Sequence, residues 1–242
     1  MPKALVLAAG KSTRIEPLSG GRPKPLLPIG GDAILAHNLR WLASEGVADI
    51  FINLHHRPGE IRDFVGDGSR FGVSVSYSHE PEIRGTAGAA KQIGDAFGGR
   101  FLVIYGDNLL KTDLAALIAV HEAAGAVATV AVFDRDIHPH TGIAGGRVAV
   151  DGPGRITEFA EGAGDAVSTL VNAGVYVLEP QVLDTIPPQT FFDFGKDVFP
   201  ALLAAGHPVF AHSITGFCLG LDTPETFATA ENLIQSGKVV LS

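Results

Sequence analysis

Short apolar runs alternate along this chain with stretches whose apolar residues recur every three to four positions. The first run, about residues 3–8, holds Ala4, Leu5, Val6 and Leu7 and reads as a buried strand. Residues 33–45 (AILAHNLRWLASE) keep helical apolar spacing and stop at Gly46, so a helix is expected there, with Trp41 in the core. A strand at 49–53, a helix at 59–65 and an alternating strand at 73–78 (VSVSYS) follow. The same pattern predicts a helix at 86–96, the strand FLVIYGD at 101–107, a helix at 113–123 and a strand at 127–133.

The pattern changes after Asp134. Residues 142–161 read as hairpin strands around the turn Asp151-Gly152-Pro153-Gly154. AGVYVL at 173–178 is a further strand, followed by helices at 180–185 and 195–205, a strand at 208–214 and a closing helix at 224–236. The alternation predicts an α/β fold: a doubly wound, mostly parallel sheet, with a smaller β-rich lobe added by the second half. No repeat or low-complexity linker interrupts it, so one domain over 1–242 is expected, in two halves at about 1–134 and 135–242. No appended C-terminal β-helix domain is expected. Open sheets of this kind bind ligands at the carboxyl ends of their strands, where the turn at 8–14 and Asp107 fall.

Composition narrows the picture. A chain of 242 residues, 46% hydrophobic, can bury a full core. A net charge of −8 argues against a nucleic-acid surface, which needs a broad basic face. The lone cysteine, Cys218, excludes an internal disulfide and fits a reducing compartment. No secretory leader pattern opens the chain, and His121, Glu122 and Gly125 interrupt the Ala- and Val-rich stretch at 115–133. A cytoplasmic protein with no membrane partner is expected, and a homo-oligomer is left open.

Against the acidic whole, the first 24 residues hold five basic side chains (Lys3, Lys11, Arg14, Arg22, Lys24) and one acid, Glu16. These cations surround the turn Ala8-Ala9-Gly10, where backbone N–H groups are exposed, a combination suited to a triphosphate. Gly10-Lys11-Ser12-Thr13 is not a P-loop, because Leu5 stands where that motif needs its first glycine. The G-x-G-x-x-G dinucleotide pattern is missing too. What remains is A-A-G-x-x-[ST]-R, about ten further residues, and then P-K-P-L-L-P-[IV]-G.

This bipartite pattern resembles the sugar-1-phosphate nucleotidyltransferases, the NDP-sugar pyrophosphorylases. Their first motif usually reads LAAG-x-G-T-R-[LM]-x-P-L-T and is followed by P-K-P; Ser12 replaces its second glycine here. The resemblance runs on through 66–89, Gly106-Asp107-Asn108, NAGVYV (172–177) and KDVFPALL (196–203). It implies a Rossmann-like nucleotidyltransferase fold in which the first half binds an NTP and the second the phosphorylated acceptor. It implies Mg²⁺ as cofactor, an NTP and a sugar 1-phosphate as small-molecule partners, and an NDP-sugar and pyrophosphate as products.

By the same resemblance, Arg14 and Lys24 are the catalytic cations, and Asp107 is a Mg²⁺ ligand. Leu7, Ala8, Ala9, Gly10, Lys11, Ser12 and Thr13 would approach the nucleotide, where small residues permit close contact. Arg14 suits the β- and γ-phosphates through its forked donors, and Lys24 suits charge growing at the α-phosphate. Lys11 and Arg22 are either auxiliary or merely solvated. Glu80, Gly85 and Thr86 fall at base-reading positions; a carboxylate accepts from both N1–H and the exocyclic amine of guanine, so GTP with a mannose- or heptose-type acceptor is favoured. The segment GDGSRFG (66–72) also resembles N-acetylmuramate-1-phosphate uridylyltransferases, and a surface Glu80 with no such role stays open. Asn108, Gly142, Glu161 and Asn172 match sugar-contacting positions.

Two departures concern the acceptor and the metal. The family's E-K-P lysine is Gly162 here. Its W-x-D-x-G-[TS]-P reads Cys218-Leu219-Gly220-Leu221-Asp222-Thr223-Pro224, so Gly220 stands at the second metal-ligand position. Asp222, two residues on, either restores that ligand along an extended segment or caps the following helix. Lys196 and His212 are candidates to replace the missing lysine. These losses motivate two rivals: a non-sugar phosphate acceptor, and a regulatory binding protein that has lost transfer. His138-Pro139-His140 reads as a loop pair rather than a metal site, and His55-His56 as pocket border or surface. Phe191, Phe192, Phe194, Val198 and Phe199 read as packing around Lys196 or an interface.

Overall fold

The computed structural model describes residues 1–142, 145–162 and 168–241. Strand β1 (Lys3–Leu7) leads through a 3-10 turn (Thr13–Ile15) to the single-turn helix α1 (Glu16–Ser19). A second 3-10 turn (Lys24–Leu26) precedes the paired short strands β2 (Pro28–Ile29) and β3 (Asp32–Ala33). Helices and strands then alternate: α2 (Ile34–Ser44), β4 (Asp49–Leu54), α3 (Pro58–Val65), β5 (Ser74–His79), α4 (Gly85–Ile93) and β6 (Phe101–Tyr105). The short β7 (Asn108–Leu110), α5 (Leu114–Ala123) and β8 (Ala128–Asp134) follow. Next come β9 (Arg147–Val150), β10 (Ile156–Ala160), β11 (Leu170–Leu178), α6 (Phe199–Ala204), β12 (Val209–Ser213), β13 (Cys218–Gly220) and α7 (Pro224–Gln235).

The central sheet runs β10-β9-β11-β6-β1-β4-β5, with β8 also on β11 and β12 on β8. β5, β4, β1 and β6 are parallel, as are β8 and β12; β11 lies antiparallel between β6 and β8. The sheet is thus mixed and mostly parallel, as expected, with small hairpins beside it. Its central strands read as continuous apolar runs because both faces are covered. In β1, Ala4 and Val6 face one core with Leu35, Leu39 and Leu42 of α2. Leu5 and Leu7 face the other, with Ala87 and Ala90 of α4 and Phe199 and Leu202 of α6. Trp41 packs, partly buried, against the first core. Among the described residues, no helix is long and apolar enough to cross a membrane.

A third apolar cluster sets up the site. Ile15, Leu27 and Ile29 from the basic segment pack with Leu109 of β7, Leu219 of β13, Leu221, and Phe227 of α7. This cluster brings residues 13–29 against residues 217–230, nearly the whole chain apart in sequence. β7 and β13 pair antiparallel, with Asn108 opposite Gly220.

Several elements differ from the sequence expectation. The helix expected at 180–185 is a 3-10 turn, Pro180–Thr185. The helix expected at 195–205 opens as a π-turn, Phe194–Val198, before α6. In that turn Val198 N donates back five residues to Asp193 O and Phe199 N to Phe194 O, one residue further than in an α-helix. The hairpin expected at 142–161 is β9 and β10; residues 143 and 144 within that range lie outside the described residues. β2, β3, β7 and β13, each two or three residues long, give no periodic signal and were not expected.

Candidate active site

Two adjoining cavities open at the carboxyl ends of β1, β4 and β6. The first, about 230 Å³, is lined by Leu7, Ala8, Ala9, Gly10, Ser12, Pro25, Asn53, Glu80, Ile83, Gly85 and Phe191. The second, about 250 Å³, is lined by Arg14, Asn108, Gly145, Gly146, Glu161, Asn172, Gly174, Lys196 and Asp222. Thr86, Tyr105, Asp107 and Asp193 line both and form the shared wall. A larger cavity of about 650 Å³, between α2 and β7, is lined by none of the motif cations or carboxylates.

At the centre lies Lys24. The 3-10 turn between Pro23 and Pro25 carries it inward, and its side chain is only 2% exposed. Its Nζ donates to Asp107 Oδ2 at 3.0 Å and to Asp222 Oδ1 at 2.6 Å. Arg14 Nη2 approaches Asp222 Oδ2 at 3.4 Å, its own side chain 70% exposed. Burial alone would pull the Lys24 pKa down; the two carboxylates outweigh it and hold the ammonium above its ordinary value.

The two sequence alternatives for Asp222 separate here. Helix α7 is capped by Thr223, whose Oγ1 accepts from Thr226 N while Thr226 Oγ1 accepts from Thr223 N. Asp222 is therefore free of capping and turns toward Lys24 and Arg14. Gly220 lies on β13, where its carbonyl accepts from Thr141 Oγ1. Asp107 and Asp222 are the two carboxylates that converge; among the described residues no group of three or more His, Cys, Asp or Glu gathers as a metal cage. That donor set fits Mg²⁺, which commonly takes one or two carboxylates and completes its shell with phosphate oxygens and water.

The first cavity is built around a relay. Asn53, at the end of β4, accepts from Ala8 N at 2.8 Å through Oδ1 and donates to Glu80 Oε1 at 2.7 Å through Nδ2. Glu80 Oε2 accepts from Arg84 N at 2.9 Å. Glu80, 1% exposed, is thus a buried, tethered carboxylate rather than a solvated one. His55 Nδ1 pairs with the Glu80 carbonyl and does not line either cavity. Lys11 and Thr13 are exposed and are not among the lining residues, whereas Leu7 to Gly10 and Ser12 are. Contrary to the expectation of exposed N–H groups at this turn, Leu7, Ala8 and Ala9 are buried and the Ala8 N–H is taken by Asn53.

In the second cavity, Glu161 sits where Gly146 and Gly195 leave room; a Cβ at either would run into its carboxylate. Burial, with Asp193 nearby, raises the Glu161 pKa, and Lys196 opposes the shift. Asn172 occupies the bulge of β11, with Nδ2 donating to Tyr176 Oη and Oδ1 accepting from Gly174 N. Of the other acceptor-side residues, Asn108 lines the cavity; Gly142 does not, and Gly145 and Gly146 stand there instead. Gly162 has φ +109°, a backbone region that favours glycine over lysine. His212 lies on β12, away from both cavities. The ring nitrogens of His138 and His140 are taken by backbone groups of the same loop and of Ile214.

Sequence reasoning missed Asp193 and Tyr105. Asp193 Oδ2 accepts from Thr86 Oγ1 at 2.8 Å, and Oδ1 accepts from Gly195 N and Lys196 N. Its signal was an acid just before the helix expected at 195, the position of an N-cap. Burial pushes the Tyr105 hydroxyl pKa up, so it stays a neutral phenol between the cavities.

The chain that carries this site has relatives. A model of the Nucleotidyl transferase family matches residues 3–232, so the chain belongs to that family. A UTP–glucose-1-phosphate uridylyltransferase from Synechocystis sp. is 35% identical over 223 residues, 86% of this chain. A mannose-1-phosphate guanylyltransferase from Mycobacterium tuberculosis is 33% identical over 226 residues, 93% of this chain. The chain spans 57% and 62% of the lengths of these two relatives. Among solved structures, HddC from Yersinia pseudotuberculosis complexed with GMP-PN superposes with TM-score 0.80 at 23% identity, covering 97% of this chain and all of that one. A putative glucose-1-phosphate thymidylyltransferase from Bacillus anthracis superposes with TM-score 0.83 at 23% identity, covering 96% and 94%. These two likenesses establish the shared fold.

Proposed function

We propose that the chain is a Mg²⁺-dependent sugar-1-phosphate nucleotidyltransferase of the cytoplasm, with the 1–134 half holding an NTP and the 135–242 half an acceptor phosphate. The observation that carries this reading is the clasp of Lys24 by Asp107, which lines both cavities, and Asp222, which lines the second; the Lys24 ammonium is buried just behind them. One cavity offers the small residues of the Ala8-Ala9-Gly10 turn and a buried carboxylate, suited to close approach of a nucleotide. The other offers Glu161 and Asn108, suited to sugar hydroxyls, beside Arg14 and Lys196.

The chemistry needs no protein nucleophile. The second pKa of a phosphate monoester is about 6, so its oxygen is ionised at neutral pH. That oxygen attacks the α-phosphorus in line, the bond to the β-phosphate oxygen breaks, and pyrophosphate leaves. Lys24 is placed to neutralise charge growing at the α-phosphate, and Arg14 to hold the departing phosphates. Lys196, in the acceptor cavity, takes the role that Gly162 cannot fill. Mg²⁺, when held by Asp107 and Asp222, would screen the repulsion between the two polyanions. The protein's work is alignment.

We favour GTP with a mannose- or heptose-type 1-phosphate, supported by Glu80 and by the 33% identical guanylyltransferase. The 35% identical uridylyltransferase supports the alternative, a UTP-dependent enzyme. Crossing the common NTPs against a panel of sugar 1-phosphates, with mannose and N-acetylmuramate 1-phosphates included, tests both by pyrophosphate release. Release with one pair is the expected result. Nucleotide binding without release for any acceptor would favour the regulatory rival instead.

A further inference from the structure

We propose that Phe191 is a nucleobase-stacking side chain: its ring forms an apolar wall of the nucleotide cavity and closes on the flat face of the base. The inference rests on the nucleotide reading of that cavity and adds a contact by which it holds its ligand.

Phe191 is 62% exposed, an unusual state for a large apolar ring. The other exposed large hydrophobics among the described residues, such as Leu18 and Ile137, line neither cavity of the site. Phe191 does, and it lines only the first, in company with Glu80, Ile83 and Gly85, none of which borders the acceptor cavity. The sequence reading of the Phe191–Phe199 run as packing therefore holds for its neighbours and not for Phe191. Phe192 packs against the second core, as do Phe194 and Phe199, while Phe191 stays outside it.

The backbone that follows the ring is fastened at 192–194. Phe192 N donates to Arg84 O at 2.9 Å, and Phe192 O accepts from Ala87 N at 3.0 Å and Gly88 N at 3.1 Å. Thr86 Oγ1 donates to Asp193 and accepts from Phe194 N. Gly85, at φ +75°, lies so close to Phe192 that a Cβ there would collide with the Phe192 carbonyl. The ring is thus carried on backbone tied to the same turn, residues 84–88, that forms the Glu80 end of the cavity.

The chemistry of that end matches a nucleobase and not a sugar or a phosphate. A base offers a flat π-face and a polar edge. Ile83 and Phe191 supply apolar surface for the face, and Glu80 supplies an acceptor for the edge. Each Glu80 oxygen already accepts one bond from within the protein, so edge contacts use only its remaining lone pairs. Stacking on an aromatic ring tolerates any base, and its removal costs roughly fivefold to 150-fold in affinity.

The test is equilibrium binding of GTP, UTP and inorganic tripolyphosphate to the wild type and to Phe191→Ala, Phe191→Leu and Phe191→Tyr, by calorimetry. Because the ring is exposed, the variants should keep the wild-type Tm. We expect Phe191→Ala to weaken the preferred nucleotide about tenfold, Phe191→Leu to fall between, and Phe191→Tyr to match the wild type. Tripolyphosphate, which has no base, should bind all four proteins equally. Unchanged nucleotide affinity in a folded Phe191→Ala overturns the inference while leaving the nucleotide reading in place. An equal loss for tripolyphosphate also overturns it, since the ring would then act on the phosphate end. A wild type that binds no nucleotide removes the nucleotide reading, and this inference with it.

Discussion

At the residue scale, Lys24 and Ser12 show what one side chain decides. Lys24 is buried between two carboxylates, so its removal acts on activity and on stability together. Lys24→Ala is expected to lower turnover by about 10²–10³, the usual loss for one transition-state donor. It should also lower Tm, because Asp107 and Asp222 then face each other without their cation. Arg14→Ala should lose comparable turnover with little change in Tm, since that side chain is mostly in solvent. Equal activity in either variant would remove it from the reaction. Ser12 holds φ +55°, a left-handed conformation that costs a residue with a Cβ about 1 kcal/mol or more. A glycine, which the resembled motif carries there, would adopt this conformation without that cost. Melting temperatures should therefore rank Ser12→Gly at or above wild type and Ser12→Val clearly below; the reverse order would show that the strain is not real. The motif in the sequence located the turn but carried no torsion angle. It likewise could not show that Asp222 is left out of the α7 cap, because that depends on whether Thr223 and Thr226 close the capping box.

At the element scale, the site depends on pieces too short to announce themselves. β7 and β13 span three residues each, yet their pairing sets Asn108 beside Gly220 and so brings Asp107 and Asp222 to one place. The long strands and helices were legible because burial on both faces writes a continuous or periodic pattern over five residues or more. Three-residue strands write none. The π-turn at 194–198 was hidden for a different reason: a helical apolar pattern continues through it, and a shift from i−4 to i−5 bonding leaves no mark in the apolar spacing. The capping box of α7 gives a test at this scale. Thr223→Ala should cost about 1 kcal/mol of stability and, by freeing the start of α7, should lower turnover as Asp222 loses its fixed approach to Lys24. Thr223→Ser should restore both. A Thr223→Ala protein with full turnover would mean that Asp222 does not need this cap.

At the scale of the whole molecule, the doubly wound sheet does two things: it sets the site at its strand ends and buries titratable groups far from it. His121 is buried against Thr129 and Glu179, with Arg100 beyond, and His212 Nε2 is buried with no hydrogen-bond partner among the described residues. Burial lowers the pKa of both rings; the Glu179 bond opposes the shift for His121 and Asp113 opposes it for His212. A lowered histidine pKa means that the unfolded chain takes up the proton first. The stability from the neutral rings is complete above the unfolded pKa of about 6.5 and is lost as pH falls below it. Tm should thus decline on acidification from about pH 6.5 toward 5, and His212→Gln should flatten part of that decline. An unchanged slope would remove His212 from the account. The overall architecture was the most legible feature of the chain, because strand–helix alternation constrains an open sheet strongly. The meeting of residues 14 and 24 with 222 was not, since a contact across almost the whole chain leaves no local trace. That meeting is the basis of the claim that the site transfers a nucleotidyl group, and one measurement addresses the claim directly. NTP labelled at the α-phosphorus is incubated with the chain, Mg²⁺ and a sugar 1-phosphate, and the label is followed. The account predicts that the α-label moves into the NDP-sugar while the β- and γ-phosphates leave together as pyrophosphate. Label retained in the NTP for every acceptor, or a γ-phosphate passed to the acceptor or to water, would contradict it.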